Sequence, residues 1–231
     1  VSLANAEYCW LMGSDDKLDQ GALDFVFSAI VTGSDIYLQD RVECDVKMNS
    51  IQRKRWWVKG IKKEWDFSND KTIDYFNKCT SLGGAFSFLS SIIVKKNKWD
   101  DYIAPEKYYK TAYSHVYTLL SILKNHGTLT LLEGGGVLSR GGNDHFLLEG
   151  ECKRRLIDFQ GYIQLSKDLS LIGLKFYSKE ENLNLLSKTD LINLLNNFDT
   201  IQYEIRYINL LGLKSNYIIF GKIINSSERS K

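Results

Sequence analysis

Two aspartates stand side by side at positions 15 and 16, directly after the apolar and aromatic run Glu7-Tyr8-Cys9-Trp10-Leu11-Met12 and the link Gly13-Ser14. Adjacent carboxylates at the end of a buried strand can hold a divalent cation, Mg2+ or Mn2+, through hard oxygen ligands, while the cation's other positions take phosphate oxygens. Asp15 and Asp16 are therefore candidate metal and cofactor-binding residues. The same residue types also make Asx-turns and helix caps, so on their own they leave that plainer reading open. His115 is an imidazole suited to general-base work near neutral pH; a helix histidine packed on the core is the equal alternative. Asp100 and Asp101 are the fallback bases, set against an ordinary solvated loop ahead of Pro105. Arg140 is suited to bidentate phosphate contact, and Gly141-Gly142 lets backbone approach a ligand closely. With Asn143, Asp144 and His145 it forms either a ligand-facing segment or a charged turn.

These residues need elements to hold them. The run Glu7 to Met12 reads as a buried strand ending in the aspartate turn, and Leu23, Val26, Phe27 and Ile30 recur at helical spacing from Gly21 to Ile30. Ile36-Tyr37-Leu38 reads as the next strand, so strand, polar turn, helix and strand follow in the order of an α/β layer. Further along, the pattern predicts a helix over Thr72 to Cys79, a break at Gly83-Gly84 and a central strand over Phe86 to Val94. A helix over Tyr113 to Leu123, a strand at Thr128 to Leu132 and the turn Gly134-Gly135-Gly136 complete the first portion. Past Gly150, leucine-rich amphipathic helices are expected over roughly 151–167, 179–197 and 200–211. The expected organisation is thus a first domain over 1–150 and a helical extension over 151–231.

The 231 residues, 44% hydrophobic and 25% charged, can bury a sizeable core. Thirty Lys+Arg against 28 Asp+Glu leave a net charge of +2, too weak a field to argue for nucleic acid. Cys9, Cys44, Cys79 and Cys152 make no close pair of the zinc or redox kind and read as buried free thiols. No apolar run approaches the roughly 20 residues that cross a bilayer. The stretch Arg53-Lys54-Arg55-Trp56-Trp57 is read first as a solvated face of an edge strand. Docking on an anionic membrane surface is the second reading, and nucleic acid a distant third.

The segment Glu7 to Leu23 resembles the metal-binding segment of family 2 glycosyltransferases, where an apolar strand meets an Asp-rich turn and then a helix start. Its wording is closest to the abequosyltransferase-like branch that builds O-antigen side chains. Gly13 stands where many members carry the first Asp, and Gln20 replaces the usual Pro. The likeness continues, in the same order, through Gly83 to Val94 with Trp99, through Ala112-Tyr113-Ser114-His115, and through Ser139 to Phe146. It implies the C-terminal portion of a GT-A fold, an α/β mixed sheet with flanking helices and a helical C-terminal extension. The nucleotide-binding half that precedes the Asp-rich turn in such proteins is expected to be missing here, leaving this stretch inactive alone.

The implied reaction moves a hexose or dideoxyhexose from a nucleotide diphosphate sugar donor to a polyprenyl-linked oligosaccharide acceptor. The implied base lies in the region of His115, with Asp15, Asp16 and Arg140 at the donor and Ser90, Trp99, Asn143 and Asp144 shaping the substrate pockets. The expected location is cytoplasmic, peripheral at the inner face of the cytoplasmic membrane. A non-catalytic binding or scaffold module of the same shape is the alternative.

Overall fold

A computed structural model of the chain describes residues 1–109 and 111–142, together with Ile157, Gly161, Tyr162, Gln164, Leu165, Asp168 and Leu169. The chain divides into two compact units, one comprising Val1–His145 and Leu165–Phe176, the other Phe146–Gln164 and Tyr177–Lys231. The expected boundary at Gly150 and the helices expected beyond position 170 lie outside the described residues.

All strands described belong to the first unit. In chain order they are β1 (Tyr8–Trp10), β2 (Lys17–Leu18), β3 (Ile36–Gln39), β4 (Arg41–Cys44), β5 (Ser50–Lys54), β6 (Glu64–Asp66), β7 (Ile92–Lys95), β8 (Thr128–Leu132) and β9 (Val137–Arg140). The α-helices are α1 (Ala22–Ile30), α2 (Thr72–Phe76), α3 (Lys96–Asp101) and α4 (Ser114–Lys124). A five-stranded sheet has the order β1-β7-β3-β8-β6 and a four-stranded sheet the order β2-β9-β4-β5. Both are mixed: β3 runs parallel to β8 and β4 parallel to β9, while the other pairings are antiparallel. The α/β class with a mixed sheet and flanking helices is therefore present.

The inner strands β3 and β7 are buried on both faces, which is why they read as near-continuous apolar runs, whereas β8 alternates Thr and Leu over Thr128–Leu131. Val26 of α1 packs with Tyr37, Ile93 and Leu132 on one face, joined by Tyr8, Trp10 and Phe25. Ile36, Leu38, Ile92, Val94, Leu129 and Leu131, at alternate positions, fill the other. Helix α4 buries Val116, Leu119, Leu120, Ile122 and Leu123, the stripe its spacing predicts.

The segment expected as one strand from Phe86 to Val94 is extended only from Ile92. Before it come two 3-10 turns, Leu82–Ala85 and Leu89–Ser91. Phe86 sits at φ 67°, in the left-handed region, which no strand tolerates. Packing fixes this departure: a Cβ on Gly83 would stand 2.1 Å from the Trp56 ring, and one on Gly84 2.5 Å from Cys79 Sγ. Helix α2 ends at Phe76 rather than Cys79, because Lys78 accepts from Val58 and Cys79 bridges to Trp57 in a short β-pairing.

Candidate active site at the aspartate turn

Strand β1 delivers its carboxyl end to the same end of the sheet as β3 and β8, since two antiparallel pairings separate β1 from β3. Open α/β sheets bind ligands in the crevice beyond these carboxyl ends. The aspartate turn lies there and is held by side chains distant in sequence. Trp10 Nε1 donates to the Ser90 carbonyl at 2.8 Å, and the Gly13 amide donates to Ser90 Oγ at 2.8 Å. That hydroxyl in turn donates to Asp16 Oδ2 at 2.5 Å. From the second sheet, the Arg140 amide donates to Asp16 Oδ1 at 3.1 Å, Arg140 Nε to the Asp15 carbonyl at 3.2 Å and Nη1 to the Val46 carbonyl at 2.8 Å. Ser90, Arg140, Asp15 and Asp16 are thus brought together as expected, although Arg140 acts here as a brace on the turn.

Burial raises the pKa of the half-buried Asp16, and neighbouring Asp15 adds to the rise. Hydrogen bonds from Ser90 and the Arg140 amide, and the positive charge of Arg41, oppose it without cancelling it. Gly13, the departure from the family pattern, has a geometric reason. A Cβ there would stand 2.9 Å from Asp15 Oδ1, 3.2 Å from Asp16 Oδ2 and 3.3 Å from Ser90 Oγ. Both carboxylates therefore converge on the glycine. Among the described residues no group of three or more His, Cys, Asp or Glu side chains gathers. Two converging carboxylates nevertheless fit Mg2+ or Mn2+, which commonly take one or two carboxylates and complete their shell with phosphate and water.

The turn is anchored to the glycine-rich loop after β8. The Asp19 amide donates to the Gly136 carbonyl at 2.8 Å, and a Cβ on Gly136 would meet that of Ala22 at 2.3 Å. Asp40, with no exposed surface, accepts from the Gly134 and Gly135 amides at 3.1 and 2.9 Å and pairs with Arg53 at 2.8 Å. Asp40 and Arg41 do not stand out in the sequence because they lie in Gln39-Asp40-Arg41-Val42, where the chain leaves one sheet for the other without a turn residue. An acidic-basic pair directly after a buried strand is the available signal.

His115 opens α4. His115 touches the segment around Phe86 that leads to Ser90 and the near end of β7. Its Nε2 is 3.0 Å from the Phe86 carbonyl. A carbonyl only accepts, so Nε2 carries the hydrogen and Nδ1 of the neutral ring holds the lone pair. Burial pushes the pKa below its ordinary value, against the raising effect of that hydrogen bond.

Trp99, Asp100 and Asp101 lie elsewhere. They belong to α3, which follows the far end of β7, where the Lys96 amide bonds Glu7, whereas Ser90 and Asp16 meet at the near end. The antiparallel run of β7 causes this separation. Asp100 is exposed and pairs with Lys96 one helical turn away. Asn143, Asp144 and His145 lie outside the described residues.

The basic-aromatic stretch separates into two parts. β5 is an edge strand exposed along its length, as the first reading expects. Its cations meet carboxylates of the same chain, Arg53 with Asp40, Lys54 with Glu43 and Arg55 with Glu133. Trp56 and Trp57 are buried, at 4% and 2% exposure, so these tryptophans are not interfacial anchors. No helix among the described residues is long and apolar enough to cross a membrane.

No family model matches the chain. Over 187 residues, 79% of its length, the chain is 38% identical to the abequosyltransferase RfbV of Salmonella typhimurium strain LT2. It spans about half of that relative, 54% of its length. Among solved structures, residues 1–349 of S. aureus TarS in complex with UDP superpose with a TM-score of 0.46 at 16% identity, over 91% of this chain and 56% of that one. Through its sequence match with RfbV, and the ordered segments that carry the same resemblance, the chain is similar to the abequosyltransferase-like glycosyltransferases.

Proposed function

We propose that this chain supplies the metal turn and acceptor half of a family 2, GT-A-type glycosyltransferase. It would move a hexose or dideoxyhexose from a nucleoside diphosphate sugar to a polyprenyl-linked oligosaccharide in O-antigen or other surface polysaccharide synthesis. The work would be done at the inner face of the cytoplasmic membrane. The observation that carries this reading is the convergence of Asp15 and Asp16 on Gly13 at the carboxyl end of β1, in a chain 38% identical to an abequosyltransferase.

Asp15 and Asp16 would hold Mg2+ or Mn2+, which when bound would supply positive charge to a departing diphosphate. The acceptor hydroxyl oxygen bonds to the anomeric carbon as the bond from that carbon to the diphosphate breaks, and the electron pair leaves with the diphosphate. The hydroxyl proton passes to Nδ1 of His115, kept neutral by burial and turned by its bond to Phe86. Ser90 fixes the turn so that the carboxylates need not reorganise during transfer.

The alternative is a non-catalytic binding module of transferase shape, favoured by one fact: both oxygens of Asp16 already accept hydrogen bonds. Incubating the full-length protein with a panel of nucleoside diphosphate sugars, a lipid-linked oligosaccharide and Mn2+ separates the two. The enzyme reading expects a labelled sugar on the lipid with at least one donor and none in Asp15→Asn. Donor binding without transfer across the panel would leave the binding module.

A further inference from the structure

Beside the aspartate turn lies a cation with no part in the transfer step described, Arg41. Residues two apart in a strand share a face, and Arg41 Nη2 donates to Glu43 Oε1 at 2.7 Å. Across the β4–β5 pairing, Gln52 Nε2 and Lys54 Nζ approach the same carboxylate at 2.9 and 3.2 Å. Two cations thus meet one anion, and the charge of Arg41 also acts on Asp16. The guanidinium carbon lies 4.7 Å from the Trp56 ring centroid and 4.3 Å from that of Phe88. Trp56 is fixed by bonds from Nε1 to the Gln39 carbonyl and Ser91 Oγ. Phe88 precedes by two residues the Ser90 whose hydroxyl holds Asp16. Stacking sets the plane of the guanidinium and Glu43 sets its direction.

The Arg41 side chain is only 18% exposed. Its Nε is buried without an acceptor among the described residues, and of its several N–H donors Nη2 alone makes a hydrogen bond there. A buried cation with unspent donors is unfavourable unless oxygen atoms reach it. A planar fork of donors next to a carboxylate pair suited to a metal matches one chemistry above others: phosphate oxygens, which the guanidinium binds bidentately and which a metal also holds.

We propose that Arg41 is a diphosphate-binding residue, donating to the phosphate oxygens of a diphosphate seated at the Asp15–Asp16 turn. This deepens, and rests on, the glycosyltransferase reading. The diphosphate belongs either to the nucleotide sugar donor or to the lipid carrier of the acceptor, which present the same oxygens.

Calorimetric titration of the full chain with UDP, GDP, CDP and inorganic pyrophosphate, each with Mn2+, tests the assignment in the wild type and in Arg41→Gln, Arg41→Lys and Lys62→Gln. Loss of a charged hydrogen-bonding partner lowers diphosphate and pyrophosphate affinity roughly 10- to 100-fold in Arg41→Gln. Arg41→Lys, which keeps charge and stem but not the fork, recovers part of it, and Lys62→Gln, which removes a cation paired with Asp70, stays close to wild type. If Arg41→Gln fails to melt cooperatively, the comparison of Arg41→Lys with Lys62→Gln decides in the same way. Affinity unchanged in both Arg41 variants overturns the proposal.

Steady-state transfer assays locate the source: a higher KM for the nucleotide sugar identifies the donor, and a higher KM for the lipid-linked acceptor identifies the carrier. Unchanged values for both, with kcat alone reduced, also overturn the proposal. If no nucleotide sugar is turned over while pyrophosphate affinity falls in Arg41→Gln, the reaction assignment fails and that of Arg41 stands. Normal turnover with undiminished affinity has the opposite meaning: the reaction assignment stands and that of Arg41 fails.

Discussion

Asp15 and Asp16 adjoin in sequence yet carry different loads. Asp16 is half-buried and gives one oxygen to Ser90 and the other to the Arg140 amide, whereas Asp15 stands exposed. Asp16→Ala strands two donors and is expected to lower stability by about 1–3 kcal/mol, read as a fall in Tm. Asp15→Asn should stay within about 0.5 kcal/mol of wild type while losing transfer activity. At His115, the depressed pKa means that the stability tied to the neutral ring is present above the ordinary value of 6.5 and is lost as pH falls through the lowered one. The acid limb of kcat should therefore have its midpoint below pH 6.5. His115→Gln should remove that limb and reduce kcat by roughly 10²- to 10⁴-fold. A limb that persists in the variant would assign the base elsewhere.

At the scale of elements, periodicity made α4, β3 and β8 legible because their apolar residues lie on a common core, whereas α1 has the expected helical form but turns Leu23 and Phe27 outward and buries only Ala22 and Val26. The aspartate turn was legible from its strand and polar break. What the sequence hid was the second sheet. β5 is readable as an edge strand, but β2 has only two residues and β4 follows β3 without a turn residue, so nothing local marks a separate sheet. The segment before β7 misled for a different reason: its apolar residues are buried in 3-10 turns that follow the Trp56 ring, a tertiary constraint that local pattern does not carry. Gly83→Ala tests that packing. A Cβ 2.1 Å from the indole forces the ring or the turn aside and is expected to lower stability by about 1–3 kcal/mol in chemical denaturation. Gly13→Ala should act on function instead, spreading the side-chain oxygens of Asp15 and Asp16 and weakening Mn2+-dependent nucleotide binding with a smaller change in Tm.

Across the whole molecule, two mixed sheets meet where β3 passes directly into β4, and the carboxyl ends of the buried strands gather the aspartate turn, the glycine loop and Arg41. Ser90 and Arg140 lie at the aspartate turn. Trp99, Asp100 and Asp101 do not, because closeness in sequence to a site strand says nothing of which end of that strand they follow. The widely spaced cysteines read as free thiols, and Cys44 and Cys79 are buried and free. Burial pushes the Cys79 thiol up to about 12, so Cys79 should resist thiol reagents in native protein and react on unfolding.

Everything proposed for this chain turns on Asp15 and Asp16 forming the donor-diphosphate site of a glycosyltransferase. The most direct test is Mn2+-dependent binding of nucleoside diphosphate sugars to the full-length protein, measured by calorimetry in the wild type and Asp15→Asn at matched Tm. Binding is expected to require Mn2+ and to be lost in the variant. Equal affinity in both proteins, with or without the metal, would contradict that role.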